Sequence, residues 1–362
     1  MNRASRREFL SHMGVAATAL VAAPSLFAGV RTKDKSGLAP PTLGEGEHQY
    51  ECVHDWARLP AEIAFGNTHG VAVDAAGFVY IKHTVHASSS RPDALCVFDP
   101  NGAFVRSFGA EFQGGAHGLL LSREKEGEFL YLADCNRGVV VKCDLKGEQV
   151  WTRSVPEESG LYANLAEYKP TNVAQVPDSL DSPFAGHLYI ADGYGKSWIH
   201  HYDAAGTYLR SFGGPGRERG QVSCPHGIFV DTRGGEARLV VADRSNRRLQ
   251  YFTLDGRHLS FVTDGVRAPC HFDTCGGMHG GLLLVPDLEG RVTLLDGENR
   301  PVAQLGDGWT DERKFALRDK SREQFIPGQF IAPHAACFDA KGDIFVVEWV
   351  EVGRVTKLRR VG

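Results

Sequence analysis

The sequence predicts an all-β chain folded as a six-bladed β-propeller, and three observations predict it. Glycine supplies 42 of the 362 residues, nearly twice the ordinary share of about 7% and suited to many tight turns. Short β-branched and aromatic runs recur along the chain, separated by Asp-Gly, Lys-Gly and Ala-Gly turns of the kind that join antiparallel strands. One unit also recurs six times, and a repeat of this length is the signature of a propeller or solenoid. Hydrophobic residues make up 42% and charged residues 23%, a globular balance that excludes disorder, collagen and coiled coil. The formal charge is −4 and no basic stripe is present, which argues against nucleic acid as a partner.

The first thirty residues read as an address. Ser5-Arg6-Arg7-Glu8-Phe9-Leu10 precedes an alanine- and valine-rich run from Gly14 to Ala28 and resembles a twin-arginine export signal. The run is too short and too alanine-rich for a stable span, which needs about 20 residues. The expected organisation is a signal at 1–28, a linker at 29–47 and a propeller at 48–362, with the mature chain periplasmic or secreted and without a membrane span. Loss of three arginines and one glutamate with the signal takes the formal charge from −4 to −6.

The repeats follow in order. Thr68-His69-Gly70-Val71-Ala72-Val73-Asp74 leads into Phe78-Val79-Tyr80-Ile81, and Ala116-His117-Gly118 leads into Phe129-Leu130-Tyr131-Leu132-Ala133-Asp134. Pro170-Thr171-Asn172 leads to Leu188-Tyr189-Ile190-Ala191-Asp192, and Pro225-His226-Gly227 to Leu239-Val240-Val241-Ala242-Asp243. Pro269-Cys270-His271 leads to Leu282-Leu283-Leu284-Val285, and Pro333-His334-Ala335 to Ile344-Phe345-Val346-Val347-Glu348. Each unit reads as four antiparallel strands. A single such sheet cannot bury both faces, but six arranged radially can. The last unit has three clear strands, so Tyr50 to Trp56 is expected to supply its fourth and to close the ring.

In a propeller the innermost strand of each blade lines the central channel. Five of the six repeat starts carry histidine, namely His69, His117, His226, His271 and His334, and the third has Asn172. Imidazoles converging from separate blades suit a metal site with an open position for water or substrate. The alternative is that histidine packs under this turn and caps backbone groups. His117, His226 and His334 fall on alternate blades, about 120° apart, the spacing of a facial three-histidine site. His69 and His271 are then expected to support the trio or to face substrate. The eight cysteines show no close pair, so disulfides are allowed by the compartment but not demanded.

Pro225-His226-Gly227-Ile228-Phe229-Val230-Asp231, followed by Val241-Ala242-Asp243-Arg244-Ser245-Asn246-Arg247-Arg248-Leu249-Gln250, resembles the NHL repeat. Together with Asp192-Gly193-Tyr194, these stretches look like the peptidyl-α-hydroxyglycine amidating lyase family, most strongly from Pro170 to Phe252. The resemblance implies zinc, or another divalent metal, on His117, His226 and His334. It also implies Tyr194 as catalytic base and Arg244 as a carboxylate or oxyanion partner. A peptide or small-molecule substrate would sit at the channel mouth, and the implied reaction cleaves the C–N bond of a peptidyl-α-hydroxyglycine to a peptide amide and glyoxylate. Arg244 read from its turn alone could equally bond adjacent loops.

The chain departs from the family in several places. Ala332 and Ala335 stand where the family has a methionine and an aspartate, which leaves its structural calcium site without two pattern residues. A first-blade arginine is replaced near Lys82-His83, which makes His83 a further group to place, and Gly195 and Tyr251 replace the disulfide cysteines. The expectation is therefore a metal-dependent, lyase-like enzyme with an altered substrate, against a non-catalytic propeller that binds a protein or glycan. A lactone hydrolase on this fold is disfavoured because it usually uses acidic ligands. The insert Trp309 to Gln329 reads either as a lid or as a solvated loop. Gly213 to Gly220 opens no helix and is no phosphate loop, and no Gly-x-Ser-x-Gly is present.

Overall fold

The computed structural model describes residues 39–275, 281–310 and 315–361. The export signal read at 1–28 lies outside them. Six antiparallel sheets are present. Blade one comprises Thr68–Val73, Val79–His83, Leu95–Phe98 and Phe104–Phe108. Blades two to five repeat the plan, with inner strands Ala116–Glu124, Asn172–Gln175, Pro225–Asp231 and Asp273–Thr274. Blade six holds Pro333–Phe338, Ile344–Glu348 and Arg354–Arg360, and Tyr50–Val53 pairs with the last of these in the register Cys52 to Leu358. The expected closure by an N-terminal strand is therefore present. One further strand, Thr42–Leu43, pairs outside it, within the stretch read as linker. Among the described residues, no helix is long and apolar enough to cross a membrane.

The core follows from the radial arrangement. Each sheet is apolar on both faces, so side chains bury between neighbouring blades, and there is one hydrophobic cluster for each of the six interfaces. The cluster between blades five and six recruits Tyr50 and Cys52 from the N-terminal strand, beside Leu284, Val292, Ala336 and Val346. A seventh cluster sits over one end of the channel, where Phe325 and Ile331 meet Cys270, Leu288 and Val350, with Phe315 and Leu317 packed against them. The described part of the 309–329 insert is thus a packed cap, not a solvated loop. All eight cysteines are free thiols. Cys143 pairs with Leu130 across its hairpin, not with Cys135.

A buried acceptor closes the second strand of every blade. Asp134, Asp192, Asp243, Asp287 and Glu348 take this place in blades two to six, and each accepts backbone N–H bonds from nearby turns. Asp243 explains most of the NHL-like motif, because it also accepts from Asn246, Arg248 and Gln250. His83 stands in that place in blade one and accepts Val85 N–H at Nδ1, 3.1 Å away. In blade six Glu348 accepts from Ile331 and pairs with buried Arg354. Removing one member of a buried ion pair leaves the other charge uncompensated. Glu348→Ala should therefore cost about 3–5 kcal/mol of stability, read as a lowered urea midpoint.

Candidate metal centre

The inner strands register by what lies opposite their first residue. Pro225 faces Asp243, Pro333 faces Glu348 and Ala116 faces Asp134. Pro269 likewise faces Asp287 across an isolated bridge. In this register Cys270, not His271, is the counterpart of His226, and Thr171, not Asn172, is the counterpart in blade three. The ring of equivalent positions thus reads His69, His117, Thr171, His226, Cys270 and His334. Histidine and asparagine therefore stand one residue beyond the equivalent position in blades five and three, where the residue after Pro269 is Cys270 and the residue after Pro170 is Thr171.

Three of these histidines share one tether. The Nδ1 atoms of His117, His226 and His334 lie 2.7, 2.9 and 2.8 Å from the carbonyl oxygens of Thr171, Cys270 and His69. Each bond runs from one blade to the equivalent residue of the next. A carbonyl only accepts, so Nδ1 carries the proton and Nε2 keeps its lone pair, the tautomer and outer contact typical of a metal-ligating histidine. Glycine follows His117 and His226 because a Cβ on Gly118 or Gly227 would collide with that same carbonyl oxygen.

The three rings form a near-equilateral triangle with centroids 4.6 to 4.8 Å apart and planes 71° to 80° from one another. Tyr194 reaches into the triangle, its hydroxyl 3.2 Å from His117 Nε2 and 3.1 Å from His226 Nε2. A phenol has one proton to give, so two acceptor nitrogens compete for it. His69 approaches from blade one with Nδ1 3.3 Å from His334 Nε2. Converging lone pairs with too few protons suit a cation, and the residues present fit a divalent metal with bonds of about 2.0–2.1 Å to imidazole nitrogen. Ligand atoms of His69, His117 and His334 all lie within 4.8 Å of one another. A histidine triad that could hold a metal is therefore present.

Electrostatics agree with that donor set. Burial lowers His117 to about 3, with the Arg244 charge adding to the shift. It holds His69, His226 and His334 well below the ordinary histidine value, so all four rings are neutral donors near pH 7. Tyr194 is 40% exposed as a whole residue, but its hydroxyl sits among buried imidazoles and burial pushes it up to about 12, against the pull of Arg244. The Arg244 guanidinium lies 5.4 Å from the Tyr194 ring centroid and 3.2 Å from Cys224 Sγ. Asn246, Arg248 and Gln250 serve the turn, which leaves Arg244 as the motif cation that faces the site.

The remaining expected residues lie apart from the triangle. His83 is buried inside blade one, its ring 4.9 Å from Phe65 and its Nε2 3.5 Å from Cys96 Sγ. His271 lies one residue past the ring of equivalent positions, half-buried, with its Nδ1 enclosed and unpartnered. Arg318, in the insert, stacks on Trp349 at 3.3 Å and bonds Asn67. Its charge contributes to the depression of His69. The sequence reading did not single out Arg318 for the site, since only tertiary packing brings the insert to the channel mouth.

No protein-family profile matches the chain. It is 28% identical to mouse NHL repeat-containing protein 3 over 204 residues, 54% of each protein, and 27% identical to the human counterpart over 207 residues, 55% of each. It is also 27% identical to peptidyl-glycine alpha-amidating monooxygenase B of Xenopus laevis over 184 residues, 48% of this chain and 19% of that protein. The matches thus span about half the length of the NHL relatives and about a fifth of the monooxygenase. Among solved structures, a streptogramin B lyase superposes with a TM-score of 0.57 at 12% identity, covering 85% of this chain and 97% of the other. A selenomethionine-substituted virginiamycin B lyase from Staphylococcus aureus gives 0.54 at 13%, covering 86% and 100%. At that identity the likeness concerns fold alone.

Burial of the neutral rings has a consequence for pH. Unfolded histidines titrate near 6.5, whereas these take up protons only far below it. Between the two values the unfolded chain binds more protons, so stability is complete above about pH 6.5 and is lost as the pH falls below it. The unfolding free energy of the metal-free protein, read from urea melts, should drop steadily from about pH 6.5 to pH 5, by up to about 1.4 kcal/mol per pH unit for each buried ring. A flat profile would contradict four neutral buried histidines. The chain is a six-bladed β-propeller whose sequence relatives include NHL-repeat proteins.

Proposed function

We propose that this chain is an exported, divalent-metal-dependent lyase, related in chemistry to the amidating lyases and acting on a hydroxylated, anionic substrate at the channel mouth. The observation that carries the reading is the clustering of the His117, His226 and His334 rings, each tethered through Nδ1, beside Tyr194 and Arg244. Support also comes from the amidating monooxygenase match, which covers 48% of this chain. Zinc is the metal of choice for three neutral imidazoles, and when bound it supplies a Lewis acid for a substrate oxygen.

The chain's own residues supply the rest. Carbonyl tethers hold the three imidazoles in the donor tautomer and prevent them from turning away. Tyr194 places its hydroxyl where a substrate hydroxyl would meet the metal. As a phenolate it accepts that proton while the C–N bond breaks, provided cations nearby bring its pKa down from about 12. Arg244 lies beside the Tyr194 ring and stays protonated throughout; its pull is already felt in the value of about 12, so the further lowering would come from a bound divalent cation, and Arg244 is also placed to partner a substrate carboxylate. Phe325, Leu317 and Phe315 pack beside Cys270, at the ring position of blade five.

Two measurements test the reading. Purified full-length protein reloaded with zinc and dialysed should retain about one ion per chain, and His226→Ala should lose it, by elemental analysis. Tyr194→Phe should keep the metal while lowering kcat for glyoxylate release from a peptidyl-α-hydroxyglycine by about 10²–10⁴-fold, the ordinary yield of a general base. Failure of the parent to hold any metal would overturn the reading and leave the histidines as packing residues of a propeller that binds partners on one face. Metal without turnover of that substrate would overturn the substrate class but leave the centre standing.

A further inference from the structure

Four histidines share the same repeat position, but one of them is oriented differently. His117, His226 and His334 bind carbonyls through Nδ1 and aim Nε2 inward. His69 turns its Nδ1 inward instead, toward His334 Nε2. The two nitrogens are 3.3 Å apart. A tetrahedral ion with metal–nitrogen bonds of about 2.0–2.1 Å keeps its ligand atoms about 3.3–3.4 Å apart. The observed pair is therefore already at the separation of two ligands on one ion.

The surroundings point the same way. His69 is 7% exposed, its ring centroid lies 4.4 Å from that of His334 and 5.1 Å from that of His117, and its ligand atom falls within 4.8 Å of theirs. Ring centroids group His117 and His334 with His226, whereas ligand atoms group the same pair with His69. Its backbone also helps to set the site, since the His69 carbonyl tethers the His334 ring.

We propose that His69 is a fourth nitrogen ligand, through Nδ1, so that the chain holds its divalent cation with four imidazoles instead of three. The fourth ligand rests on the metal-binding reading above. Nitrogen-only donation favours copper, nickel, cobalt and zinc over magnesium, calcium and manganese, which prefer oxygen. Four imidazoles complete a tetrahedral ion, so a substrate oxygen arriving from the Tyr194 side would be a fifth ligand.

The test uses the full chain, stripped with a chelator and reloaded with a single metal. Zinc affinity is measured by competition with a chromophoric chelator for the parent, His69→Ala and His69→Gln. The Cu(II)-loaded parent is examined by electron paramagnetic resonance, where nitrogen hyperfine splitting counts coordinated imidazoles and needs no variant to fold. Four nitrogens in the parent, with at least tenfold weaker zinc binding in either His69 variant, is the expected result. Three nitrogens, with unchanged zinc affinity in the variants, would overturn the fourth ligand and leave the three-histidine centre intact. A parent that binds neither metal would overturn both.

Discussion

Everything in this molecule depends on closing a ring of sheets. Each four-stranded blade is apolar on both faces and gains burial only by having a neighbour on each side. Six blades can satisfy this only if the last meets the first. The strand from Tyr50 to Val53 completes the final blade with chain from the other end of the sequence, and Tyr50 and Cys52 enter the cluster between blades five and six. Ring closure forces six inner strands together around one axis, where side chains far apart in sequence come within a few ångströms.

The candidate centre is a by-product of that geometry, refined by a few local choices. Near the axis, the carbonyl of one blade lies within reach of the imidazole of the one before it. Glycine after His117 and His226 leaves room for that carbonyl, while the equivalent bond of His334 forms beside Ala335. The bond decides the tautomer, and the tautomer decides that the free lone pair faces the axis. Where the repeat has Thr171 or Cys270 instead, the residue supplies only the accepting carbonyl. Alternation of donor and acceptor blades around the ring explains why the three tethered histidines are 120° apart.

Much of this was legible in the sequence. Six copies of a strand-turn-strand unit specify a propeller, because periodicity and turn chemistry agree in every copy. The missing twelfth hairpin partner pointed to the N-terminal segment. The trio on alternate blades was visible as well, and the structure brings its members together beside Tyr194. The register in blades three and five was legible too, but only by counting from the proline instead of matching the histidine: Thr171 and Cys270 follow Pro170 and Pro269 as His226 and His334 follow Pro225 and Pro333, and the pairing of Pro269 with Asp287 bears this out in blade five. His83 was opaque, since nothing local marks a histidine that takes the place of a corner carboxylate. Nor does composition show that a charged insert will bury Phe325 and Leu317 over the channel.

The tether from each imidazole to the following blade makes the centre a gauge of the ring itself. Each donor nitrogen is positioned by two adjacent blades, and the donors together report on six. An ion that binds all of them at once prefers the closed ring to any opened form, and linkage then requires the closed ring to prefer the ion by the same amount. A bound ion would act as a central rivet, working with the strand that fastens the rim. Loosening either one weakens the other, although Tyr50 and His226 share no contact.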